Sequence, residues 1–209
     1  MAKENHPLHA LAAYLPEGTF EGVAEYIKAH KVHLHITRER KTILGNYRNA
    51  HRDKNHRITV NGNLNKYSFF ITLLHELAHL LTYEKYANKV MAHGREWKGI
   101  FADLLAQFIT KKVFPGDIEA ELISSLHNPA ASSCAEDGLM RILRRYDIAT
   151  SDKHVLIEEI PVNSLFKLKD GRVFKKGDKL RKRYRCQEVH SARVYLFSPV
   201  YEVERVGNE

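Results

Sequence analysis

The sequence predicts an α+β fold in two parts, and three observations carry that reading. Short stretches of alternating apolar and polar residues lead directly into a long apolar helical stretch. Further helical stretches follow it without intervening strands. From Val155 onward the pattern changes to short strands separated by turn signals. The 209 residues suffice for one sizeable domain and a smaller one. The boundaries fall at 1–126 for the first domain, 127–150 for a linker and amphipathic helix, and 151–209 for a small basic antiparallel β module.

In chain order, Leu8, Leu11 and Leu15 form a short apolar pattern broken by Pro16. Phe20, Val23 and Ile27 then space as a helix whose basic end, Lys28 to Lys31, suits the negative end of the helix dipole. Val32, Leu34 and Ile36 alternate with His33, His35 and Thr37, a half-buried strand with both histidines facing solvent. A second strand, Thr42 to Arg48, carries Ile43 and Tyr47 on one face, and Arg57 to Asn61 makes a third. Between the last two, the polar stretch NAHRDKNH reads as a solvated loop, and His51 and His56 with it. Asn61-Gly62 marks a turn, and Asn63 or Asn65 can cap the helix that follows.

That helix, Phe69–Tyr86, reads FFITLLHELAHLLTYEKY. Phe70, Leu73, Leu74, Leu77, Leu80 and Leu81 recur with the spacing of one broad buried face. Positions i and i+4 of a helix point the same way, so His75 and His79 can offer two imidazole nitrogens to one metal ion. Glu76 is turned about 100° from His75, within reach of a metal-activated water but not a ligand itself. Zinc-dependent hydrolysis requires this arrangement. His93, in HGREW, is a candidate third ligand fourteen residues after His79, and Glu96 is its carboxylate rival. Ala87 to Ala92 must turn the chain so that His93 can return, with Gly94 giving backbone freedom. Trp97, Ile100, Phe101, Leu104, Leu105, Phe108 and Ile109 predict a second helix packed on the first. Pro115-Gly116 ends it, and a short helix over Ile118 to Leu126 closes the domain.

HELAHLL followed by HGREW resembles the SprT-like metalloproteases, the bacterial-type members as well as the Spartan proteases that act on DNA–protein crosslinks. The likeness covers roughly the first 125 residues. It implies one Zn2+ ion held by His75, His79 and His93, with Glu76 as general base, in a zincin-like metalloprotease domain. In that fold an extended substrate lies along an exposed edge strand. Tyr83 and Tyr86 are candidates for an oxyanion donor. Many members carry a four-Cys zinc ribbon after the protease domain; here Cys186-Gln-Glu-Val189 lacks the second Cys, so no second zinc is expected.

The net charge of +8 favours acidic partners, nucleic acid among them. Cys134 and Cys186 are too few for a disulfide framework and read as ordinary thiols. The N-terminus has no uninterrupted apolar core of a signal peptide, and no stretch reaches membrane-spanning length. A reducing, cytoplasmic setting without a membrane partner is the expectation. His127 to Glu136 reads as a linker, and Leu139, Ile142, Leu143 and Tyr146 as an amphipathic helix.

In the module, Lys169–Arg172 (KDGR) is a two-residue hairpin signal, and Leu180–Val189, Arg193–Phe197 and Val200–Val206 are strands. From Leu165 to Arg185 ten Lys or Arg face two Asp, so 10 − 2 = +8, equal to the whole chain's net charge. Arg181, Arg183 and Arg185 fall on one strand face, with Phe166, Phe174 and Tyr184 interleaved for base stacking. The function expected is therefore a zinc endopeptidase with a protein or peptide substrate, recruited to DNA, single-stranded or junction-containing. The alternative is a non-catalytic, zinc-stabilised nucleic-acid-binding adaptor, whose closed site would need a fourth protein ligand.

Overall fold

A computed structural model describes residues 8–40, 43–50, 55–127, 129, 136–147 and 154–206. The chain divides into two compact units, residues 1–147 and 148–209.

In the first unit a 3-10 turn over His9–Tyr14 precedes α1 (Phe20–Ala29), β1 (Val32–Thr37), β2 (Gly45–Arg48) and β3 (His56–Asn61). Four helices follow: α2 (Lys66–Tyr86), α3 (Arg95–Thr110), α4 (Gly116–Ser125) and α5 (Asp137–Arg144). The sheet is mixed, in the order β1-β3-β2, with β1 parallel and β2 antiparallel to the central β3. His33 and His35 are exposed as expected, while Val32 is buried and Leu34 half-buried. The second strand is shorter than expected. It starts at Gly45, leaving Ile43 exposed ahead of it, and Thr42 lies outside the described residues.

The expected single buried face of α2 is an underestimate. Every residue from Ser68 to Ala78 is buried, because the helix runs between the β2–β3 sheet and α3. Asn65, not Asn63, caps it, accepting from Tyr67 N–H at 3.1 Å and Ser68 N–H at 2.9 Å. The same side chain donates to Leu143 O at 2.9 Å and Asp147 Oδ1 at 2.6 Å. These bonds tie α5 to the start of α2, and Leu139 and Leu143 join the first unit's core. The helix assigned to a connecting segment is therefore part of the first unit. Residues 130–135, Cys134 among them, lie outside the described residues.

α3 stops at Thr110, earlier than Pro115-Gly116 suggested; Lys112 takes φ 55°, and Pro115 instead caps α4. Gly94 also differs from its expected role. Its φ is −72°, open to any residue, but a Cβ there would crowd Met91 at 3.2 Å, so closeness is what favours glycine.

The second unit is a six-stranded, curled antiparallel sheet in the order β4-β9-β5-β6-β7-β8. Its strands are β4 (His154–Leu156), β5 (Leu165–Lys167), β6 (Val173–Leu180), β7 (Arg183–Glu188), β8 (Val194–Phe197) and β9 (Glu202–Arg205). Phe166, Phe174, Phe197, Cys186 and Val203 fill its single core with Ile157, Ile160 and Leu168. The β5–β6 loop has three residues rather than two. Leu168 and Arg172 close it, and Gly171 takes φ 90° after the turn. The strand expected over Leu180–Val189 is split by a turn at Arg181 and Lys182, Arg181 adopting φ 43°. Among the described residues no helix is long and apolar enough to cross a membrane.

Candidate metal centre

His75 and His79 project from successive turns of α2, and their Nε2 atoms are 3.2 Å apart. His93, at the end of the turn before α3, brings its Nε2 to 3.4 Å from that of His75. A tetrahedral zinc with nitrogen ligands at about 2.0–2.1 Å sets those nitrogens about 3.3–3.4 Å apart, so the donor set fits such an ion. Among the described residues, these three form a metal-capable cluster that no fourth His, Cys, Asp or Glu joins. Glu96, the rival ligand, stays outside it.

Trp97, the chain's one tryptophan, is fully buried beneath the triad. Its ring centroid lies 4.6, 5.2 and 4.7 Å from those of His75, His79 and His93. This apolar floor has an electrostatic consequence. Burial first, then repulsion from His79 and His93, lowers His75 to about 3. Burial and His93 lower His79 to about 4, and burial with Lys98 lowers His93. Three neutral imidazoles, the form that binds metal, are therefore the resting state at neutral pH.

Glu76 is only 4% exposed and points to β2. Burial raises its carboxyl to about 8, opposed by the Arg40 guanidinium and by a hydrogen bond donated from Tyr47 N–H. The Tyr47 ring stands nearly parallel to that of His79, with centroids 6.5 Å apart and 6° between the ring planes. Burial, then Tyr83 and Glu84, pushes its phenol up. Its hydroxyl is 2.8 Å from His56 Nδ1, which also accepts from Ala50 N–H at 3.2 Å.

His56 thus contradicts the solvated-loop expectation. It is the first residue of β3, pairs with buried Val32, and lies on the core face. The alternation of Ile58 and Val60, carried one step back, would have found it. His51 lies outside the described residues. Tyr83 packs against Tyr47 and His56 with centroids 6.4 and 6.0 Å away. Tyr86 lies two turns beyond His79 beneath Lys85 Nζ. The tyrosine ring set against the triad is that of Tyr47.

The family model described as the SprT-like family matches residues 8–115, more than half of the 209. The chain belongs to the SprT-like family. No curated protein and no solved structure matches it. The match spans every residue of this SprT-like centre and stops before α4, so α5 and the β module lie beyond it. The family is associated with metallopeptidases, and the histidine triad is a set that could hold a metal.

The second unit departs from the expected nucleic-acid surface. Arg183 and Arg185 are exposed on the outer face of β7, but Arg181 sits in the preceding turn. Phe166 and Phe174 are fully buried in the core, because alternation turns them inward, so neither can stack on a base. Tyr184 is half-buried under Lys176 Nζ at 4.0 Å. Beside the arginines stand exposed aliphatics instead: Leu196 opposite Arg185 and Leu180 opposite Arg183.

Proposed function

We propose that the chain is a zinc-dependent endopeptidase with a zincin-like first unit. The observation that carries this reading is the convergence of three Nε2 atoms with a buried carboxylate one residue from the first of them. The absence of a fourth ligand among the described residues supports an open coordination position over the closed site an adaptor would need.

His75, His79 and His93 would hold the ion, which would supply Lewis acidity, lowering the pKa of a water to about 7 and polarising the scissile carbonyl. Glu76 takes a proton from the attacking water and delivers it to the leaving amine. Burial puts the metal-free carboxyl at about 8, and a cation held by the three neutral imidazoles would favour its ionised, proton-accepting form. An extended peptide adds to β2, the antiparallel edge strand next to Glu76. Neutral imidazoles and a water-poor floor at Trp97 keep the site free of competing protons.

The substrates proposed are proteins held on DNA, with Arg183 and Arg185 of the module, and Arg181 in the turn, contacting phosphate. Their exposure and the family likeness support this part. The test is metal analysis of the purified protein together with proteolysis assayed with and without single-stranded DNA. One zinc per chain, and cleavage abolished in Glu76→Gln without loss of metal, is the expected result. Protein that takes up no zinc, or Glu76→Gln that still cleaves, overturns the peptidase reading.

A further inference from the structure

Gly45 opens β2 at the point where the sheet edge meets α2. A Cβ on Gly45 would stand 2.5 Å from Glu76 Oε1, 2.9 Å from Glu76 Cγ and 2.7 Å from Thr72 Cγ2. All three are far inside the ~3.5–4.0 Å at which heavy atoms pack. The backbone does not ask for glycine here, since Gly45 is absent from the positive-φ positions. Space does. Gly45 pairs with Val60 and Tyr47 with Ile58, so both positions turn to the core face, toward α2. A side chain at 45 would therefore enter the volume that the carboxylate fills.

The same strand also supplies a donor. Asn61 N–H bonds Leu44 O across the β2–β3 ladder. Antiparallel alternation then leaves the backbone groups of Gly45 and Tyr47 pointing to the outer edge. Tyr47 N–H is the backbone donor that draws the Glu76 carboxyl back toward its ionised form. Thr72, one turn before Glu76 on the same helix face, is fully buried and offers the carboxylate no competing bond, its hydroxyl having no partner. A notch and an amide two residues apart thus converge on one carboxylate.

We propose that Gly45 and the Tyr47 amide form a cradle that fixes the Glu76 carboxylate in its working orientation, which makes Gly45 a positioning residue for the reaction. The inference rests on the peptidase reading. It differs from a general packing role because the residue it acts through is Glu76 itself.

The test is a cycle of four proteins: wild type, Gly45→Ala, Glu76→Asp and the double variant. In Gly45→Ala, zinc titration followed by Trp97 emission should match wild type and KM should hold, while kcat falls about 100-fold, the scale of a misplaced general base. Aspartate is one methylene shorter and withdraws from the notch. Gly45→Ala should accordingly cost the Glu76→Asp enzyme far less than it costs wild type. A kcat for Gly45→Ala near wild type, or equal losses in both backgrounds, overturns the proposal. Should Gly45→Ala fold poorly, the metal-free melting temperatures of the four decide. A drop in the Glu76→Asp background less than half that in wild type supports the cradle, and equal drops overturn it. If wild type cleaves nothing, the peptidase reading fails while this melting cycle still reports the close approach of residues 45 and 76.

Discussion

His75 and His93, eighteen residues apart in sequence, bring their Nε2 atoms within 3.4 Å. One of them is fixed by the third turn of a buried helix and the other by a turn that must reverse the chain. Their meeting converts a local helical motif into a three-nitrogen site over a tryptophan floor.

Removing the returning ligand should therefore abolish the site rather than weaken it. His93→Ala is expected to lower zinc affinity by more than the roughly 10–100-fold typical of outer-shell changes. Trp97, adjacent to all three rings, reports the titration by its fluorescence. Wild-type affinity in this variant would rule the triad out as the metal centre.

The metal-free site gives stability a defined pH dependence. Below about 6.5 the unfolded chain protonates at His75 and His79, whereas the folded chain holds out to about 3 and about 4. Stability from these groups rises with pH up to that point. Glu76 acts in the opposite sense: from 4.5 to about 8 the folded chain keeps a proton that the unfolded chain has given up. Two histidines outweigh one glutamate below 6.5, and Glu76 alone governs above it. The site's contribution should peak near pH 6.5 and decline toward pH 8. Glu76→Gln, melted without metal, should lack that decline; parallel curves for the two proteins would refute the assignment.

Asn65 holds α2 and α5 at once, so its loss acts on both. Asn65→Ala removes the cap and leaves Leu143 O without that donor. Destabilisation of the first unit by about 2 kcal/mol is expected from urea unfolding, at the upper end for a cap. A change below about 0.5 kcal/mol would mean the bonds are replaced by water.

In the second unit, Lys176 is 2% exposed, its Nζ bonded to Ile160 O and 3.4 Å from Glu158 O, over the Tyr184 ring. Burial pushes its pKa down. It anchors polar backbone where the chain lacks the cysteines of a zinc ribbon. Lys176→Ala should destabilise this unit by about 1–3 kcal/mol, the cost of leaving buried acceptors unpaired. Unfolding unchanged from wild type would show the ammonium to be dispensable.

For single-stranded DNA, every arginine–phosphate pair removed should reduce the salt slope of binding by about 0.7. Arg183→Ala with Arg185→Ala should then reduce it by about 1.4, and the triple variant with Arg181→Ala by about 2 in all. An affinity for single-stranded DNA with unaltered slope would place any binding elsewhere.

By itself the sequence determined what depends on near neighbours. His75, Glu76 and His79 were legible because helical geometry alone fixes residues one to four positions apart, and the strands before them because alternation is equally local. His93 was reachable through the HGREW likeness, though spacing left Glu96 open. Tertiary structure decided which of the two returns, that Asn65 reaches α5, that the phenylalanines of the module turn inward, and that Gly45 must be bare beside Glu76. Those facts are close approaches between segments far apart in the chain. No residue's periodicity encodes the distance to a partner it meets only once the core has closed.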